Sequence, residues 1–67
     1  MIRNVFIYSN QTAEMATEKI NDALRQYQDE DTDVNYELFI ENSAMLGSIN
    51  MTKYTVLIEI SDKDEVA

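Results

Sequence analysis

The sequence predicts an α+β fold, a β-α-β-β chain whose three-stranded sheet carries one helix packed on one face. Three observations predict it. Val34, Tyr36, Leu38 and Ile40 alternate with Asn35, Glu37, Phe39 and Glu41, the period-two pattern of a strand. Tyr54, Val56, Ile58 and Ile60 alternate in the same way with Thr55, Leu57 and Glu59. Between Thr12 and Gln28 the period changes: Ala13, Ala16, Ile20, Ala23, Leu24 and Tyr27 recur at spacings of three and four, the apolar stripe of an amphipathic helix.

Each element follows in order. Residues 2–9, IRNVFIYS, are rich in β-branched and aromatic side chains and form the first strand. Val5 and Ile7 fall on one of its faces, Phe6 and Tyr8 on the other. Ser9, Asn10 and Thr12 are candidate N-caps for the helix, and Glu14 suits the positive end of its dipole. Asp29-Glu30-Asp31-Thr32-Asp33 stops the helix, and the strand from Val34 to Glu41 follows. Residues 42–51 hold the one glycine, Gly47, and form either a connection or two strand ends around a turn. The final strand runs from Lys53 to Ser61 and pairs as an antiparallel hairpin with the strand before it. The helix is expected over the face bearing Tyr36, Leu38, Val56 and Ile58. The domain thus spans 1–61, with 62–67 a charged, frayed tail.

Sixty-seven residues make one domain. A chain of this size buries only about 60% of the surface it exposes when unfolded. Small domains make up the deficit with disulfides, a metal or a partner subunit. Cys and His are absent, which leaves self-association, and a homo-oligomer is expected. One helix covers one face of a sheet, so the opposite face exposes Phe39 and Leu57, with Met45, Leu46 and Ile49 nearby. Either Val5 and Ile7 or Phe6 and Tyr8 join them, and we assign Val5 and Ile7 to this surface. An exposed apolar patch of that kind marks an interface.

Nucleophilic catalysis lacks its parts: there is no His base and no thiolate, and no serine sits in a nucleophile elbow. One glycine builds no phosphate-cradling loop. No enzyme activity and no cofactor are expected. No signal-peptide pattern opens the chain and no apolar run reaches the roughly 20 residues that span a bilayer, so the default expectation is a cytoplasmic protein without membrane contact.

Thirteen acidic against five basic residues give a net charge of −8. That opposes direct binding to nucleic acid and favours a basic protein partner, beside its general effect on solubility. Asp29, Asp31 and Asp33 have the spacing that opens a calcium loop, but Val34 stands where such a loop turns on glycine and Ile40 where it needs a bidentate Glu. No metal site is expected. The bland reading of the run is a solvated loop. The functional reading is a docking surface of Asp29, Glu30, Asp31, Asp33, Glu37 and Glu41, the last two spaced about 13 Å apart along a strand. Of the four tyrosines, Tyr36 and Tyr54 are candidates for stacking on a planar or nucleotide-like ligand at a subunit junction, although core packing with hydroxyls at the rim accounts for them as well.

The segment order resembles the dodecins, flavin-storage proteins whose β-α-β-β protomers form a hollow oligomer, and the strand KYTVLIEIS is similar to theirs in pattern. Dodecins stack flavin on a tryptophan. This chain has none, and Asn35 or Tyr36 falls near that place, so flavin is not carried over. The stretch Glu18-Lys19-Ile20-Asn21-Asp22-Ala23-Leu24 resembles the helix of the small sporulation-protein family of spore-forming bacteria and their phages. That resemblance implies a bacterial or phage accessory protein and carries no mechanism.

Overall fold

A computed structural model describes residues 2–63. The chain is α+β, with one helix, a three-stranded antiparallel sheet and a small two-stranded sheet. In order these are β1 (Ile2–Gln11), α1 (Ala13–Tyr27), β2 (Thr32–Asn42), β3 (Met45–Leu46), β4 (Ile49–Asn50) and β5 (Lys53–Asp62). The two short strands depart from the plain β-α-β-β order, and they turn residues 42–51 into two strand ends around a turn. Gly47, at φ +62°, takes the first place of the two-residue loop between Leu46 and Ile49, where a type II′ hairpin requires positive φ.

The sheet order is β1-β5-β2. Both outer strands run antiparallel to β5, so they are parallel to each other with the last strand between them. Val56, Ile58 and Ile60 of β5 are at most 2% exposed, because they are flanked on both sides and covered by α1. The core they form with Val34 and the helix residues Ala16 and Ala23 is completed by half-buried Phe6, Tyr8, Ile20, Leu24 and Tyr27. The stripe read from the sequence is the packed face from Ala16 onward, Ala13 being exposed, and its two buried alanines let the helix lie close to the sheet.

Capping fixes the helix ends. The Thr12 hydroxyl accepts the Met15 N–H at 3.1 Å, and the Gln28 N–H donates to the Leu24 carbonyl. Ser9 and Asn10, the other candidate caps, belong to β1. The Gln28 side chain then accepts the Val34 N–H at 2.9 Å, tying the helix end to the start of β2.

One expectation needs correcting. Val56 and Ile58 lie beneath the helix, but Tyr36 and Leu38 are 52% and 49% exposed, and Ile40 on the same face is 65% exposed. The reason is geometric. The helix leaves the end of β1 and must deliver the chain to the start of β2, so it covers Val34 and leaves the later half of β2 bare. It starts level with Tyr54, which Gln11 pairs with, and runs over the central strand, so Val56 and Ile58 are buried while their β2 partners Leu38 and Tyr36 lie to one side of it. At the other boundary, Asp62 pairs with Thr32 and the Lys63 N–H donates to the Asp31 carbonyl. Residues 64–67 of the expected tail lie outside the described residues.

Candidate interaction surfaces

Three surfaces are built on this frame. The first is the sheet face away from the helix. Residues directly opposite across a sheet share a face, and the register sets Ile7 beside Leu57 and Leu57 beside Glu37. The next row is Val5, Glu59 and Asn35, and Phe39 opposite Thr55 lies on the other side. Val5, Ile7, Phe39 and Leu57 thus come together on one face. Val5, Ile7 and Phe39 are exposed, and Leu57 is half-buried among them. Phe6 and Tyr8 point the other way: Phe6 stacks on Tyr27 with ring centres 6.0 Å apart, and the Lys19 ammonium sits 4.8 Å above the Tyr8 ring. The patch is not wholly apolar, since Glu37 and Glu59 stand within its rows.

The second surface is the end of the molecule where α1 passes to β2. Asp29, Glu30 and Asp31 are exposed there, and Asp33 is half-buried. Asp29 accepts the Asp31 N–H at 2.8 Å. That bond, with lesser help from the Thr32 hydroxyl and N–H and the Arg3 charge, holds the Asp29 carboxyl below the ordinary value of 3.8. Arg3 sits at a register shift in β1 and pairs with Asp62 at 3.0 Å while also donating to the Thr32 hydroxyl. The six acidic residues singled out in the sequence do not form one patch. Asp29, Glu30, Asp31 and Asp33 share this end, Glu37 lies mid-sheet, and Glu41 is about 26 Å from Asp33 by strand rise. Glu41 is also engaged, accepting the Asn10 N–H at 2.8 Å. Among the described residues no three acidic side chains are grouped as a metal site requires.

The tyrosines separate likewise. Tyr36 pairs with Ile58 and Tyr54 with Ile40, which puts them about 13 Å apart on one face, too far to clasp one ring. Tyr36 and Val34, of the helix face, border an open concavity of about 460 Å³ at the β2 edge whose other lining, Asn35, Glu37, Leu57 and Glu59, belongs to the open face. Tyr54 does not line it.

The third surface lies beyond the core. The β2–β5 hairpin continues past the core through Asn42 opposite Lys53, Met45 opposite Asn50 and Leu46 opposite Ile49. This projecting arm exposes Met45, Leu46, Ile49 and Met51. Its signal was available, because no ionisable side chain occurs from Asn42 to Thr52 in a chain that is 27% charged.

Among the described residues no helix is long and apolar enough to cross a membrane. No family model, no curated protein and no solved structure matches the chain.

Proposed function

We propose that the chain is an oligomeric binding protein without catalytic machinery, which joins to copies of itself through apolar surface and presents its acidic end to a basic protein. One observation carries the oligomer. Among the described residues twelve large apolar side chains are exposed, whereas the large buried ones are four: Val34, Val56, Ile58 and Ile60. Exposed apolar side chains scattered singly are ordinary, but here Ile7 pairs directly with Leu57, and Val5 and Phe39 stand in the adjoining rows of the same face. The acidic end supports the second half of the reading. Asp29 is held ionised by its hydrogen bonds, and three of the four acids there are exposed, so their field reaches a docking surface.

The test of self-association is native mass spectrometry of the wild type beside Leu57→Glu and Phe39→Glu. Loss of oligomer in both folded variants is the expected result, and unchanged mass in both rejects the open face as an interface. For the basic partner the probe is a decalysine peptide. Its affinity should fall steeply between low and moderate salt and weaken on Asp29→Asn with Glu30→Gln and Asp31→Asn. Salt-insensitive binding rejects the electrostatic reading.

A second reading is favoured by the concavity beside Tyr36. Completed by a second subunit, it is large enough for a planar or nucleotide-like ligand. A melting temperature that rises with flavin or nucleotide in the wild type and not in Tyr36→Ala supports it. No rise with either ligand counts against it.

The stretch Glu18–Leu24 contributes to helix-on-sheet packing. Ala23 of that stretch is buried in the core, and Ile20 and Leu24 pack against it.

A further inference from the structure

The shape of the chain is unusual for its size. Its radius of gyration is 14.5 Å, against about 11 Å for a compact domain of this length, and its extents are 53 × 18 × 17 Å. It exposes 5084 Å², against about 4400 Å² for a compact chain of 7.8 kDa. The excess of about 700 Å² is close to the roughly 800 Å² that each partner contributes to a standard interface.

That surplus has an address. Of the twelve exposed large apolar residues, eight lie between Tyr36 and Met51: Phe39 on the open face, Tyr36, Leu38 and Ile40 on the helix side of β2, and four on the arm that continues it. The helix lies over β5 and, of the apolar residues of β2, buries only Val34, so Tyr36, Leu38 and Ile40 beside it have no cover in the single chain.

We propose that the β3–β4 hairpin is an exchange arm, and that in a two-fold dimer each arm lies across the bare half of the partner's β2, over Tyr36, Leu38 and Ile40. The inference rests on the oligomeric reading above and places the principal contact on the helix side of the sheet, where that reading placed it on the open face. Charge selects a second copy as the occupant. Each chain carries −8, so two copies repel over most of their surface and meet at least cost where neither carries charge. The arm is such a place. A basic protein gains nothing there and is drawn to the acidic end at the far side of the core. Symmetry completes the fit. A two-fold axis makes contacts reciprocal, so one arm seated on a bare strip entails the second, and two half-covered sheets cover each other.

Leu46→Glu and Ile49→Glu test this directly. Both side chains are exposed, 66% and 61%, and lie outside the core, so the fold should survive, as the far-ultraviolet circular dichroism will show. The expected result is a wild-type dimer and arm variants whose dissociation constant rises roughly 100-fold, read by native mass spectrometry. A second readout uses the absence of native cysteine. Mixed Leu38→Cys and Leu46→Cys chains should form a disulfide between copies under mild oxidation, well beyond what either forms alone. Arm variants that keep the wild-type mass, or an equimolar mixture that gives no excess heterodisulfide, overturn the proposal. If Leu57→Glu dissociates the oligomer and Leu46→Glu does not, the arm proposal falls and the open-face reading stands. A wild type that is monomeric at every concentration overturns both.

Discussion

The carboxylate of Glu41, on β2, accepts a hydrogen bond of 2.8 Å from the backbone N–H of Asn10, on β1, although β5 separates the two strands. Both residues sit at interruptions of the ladder. Asn10 has φ 57° within the register shift between Tyr8 and Gln11, and Glu41 lies within the shift between Ile40 and Asn42. The bulges release an N–H on one edge strand and re-aim an acceptor on the other. Glu41→Ala should lower stability by about 0.5–1.5 kcal/mol, and Glu41→Gln, which keeps an acceptor, by less. The urea midpoint of each variant checks the order, and equal losses would count against the bond.

Arg3 makes the corresponding link at the opposite end, from β1 to Thr32 on β2 and to Asp62 on β5. The ion pair is half exposed and contributes only about 0–1 kcal/mol. Thr32, however, is buried, and its hydroxyl, which keeps Asp29 as a partner, loses a charged donor whose bond contributes about 1.5–3 kcal/mol. Arg3→Met should therefore be clearly destabilising, while Asp62→Asn stays nearly neutral. Thermal unfolding separates them, since about 1 kcal/mol moves the melting point of so small a domain by about 4–8 °C.

Ile58 and Leu38 sit on the same face with opposite burial. Ile58→Ala should cost about 2–5 kcal/mol through the cavity it opens, a large part of the total stability of a domain this small. Leu38→Ala should cost far less in dilute, monomeric protein. If the two losses are similar under those conditions, Leu38 is covered in the single chain and its surface has been misplaced.

Asp29 gives an acid-range signature. Its folded-state pKa is lowered, chiefly by the Asp31 N–H, so protonation opposes folding. Its contribution is complete above the ordinary value of 3.8 and is lost as pH falls through the lower folded value. Asp29→Asn, uncharged like the protonated acid, should flatten the stability profile below about pH 4 and lower stability slightly near neutrality. Parallel profiles for wild type and variant below that pH would show that Asp29 titrates alike in both states.

Much of this was legible in the residue pattern, and the remainder was hidden for definite reasons. Alternation gave the faces: Val5, Ile7, Phe39 and Leu57 share one because of parity alone. Parity does not reveal neighbours, so the central place of β5 was not read, although a strand without a charge between Tyr54 and Ile58 is suited to it. Nor does periodicity say how far a helix reaches. Tyr36 and Leu38 share a face with Val56 and Ile58, but only the sheet order, which places β2 at an edge beside the helix, leaves them bare. The acidic residues were grouped by sign, but Glu41 went to Asn10 because a bulge, invisible to composition, turned it there.

The central position of β5 has a consequence in time. Phe6 finds its partner in Ile58 and Tyr36 finds the same one, so neither edge strand has a neighbour until the chain has been made as far as β5. At about 5–20 residues per second, the roughly fifty residues between Phe6 and Ile58 take about 3–10 s to synthesise. Throughout that interval β1, whose Asn4–Tyr8 segment carries no charge, is an unpaired apolar strand on a nascent chain. It is in that window, more than in the finished fold, that this protein is most exposed to mispairing and to chaperones.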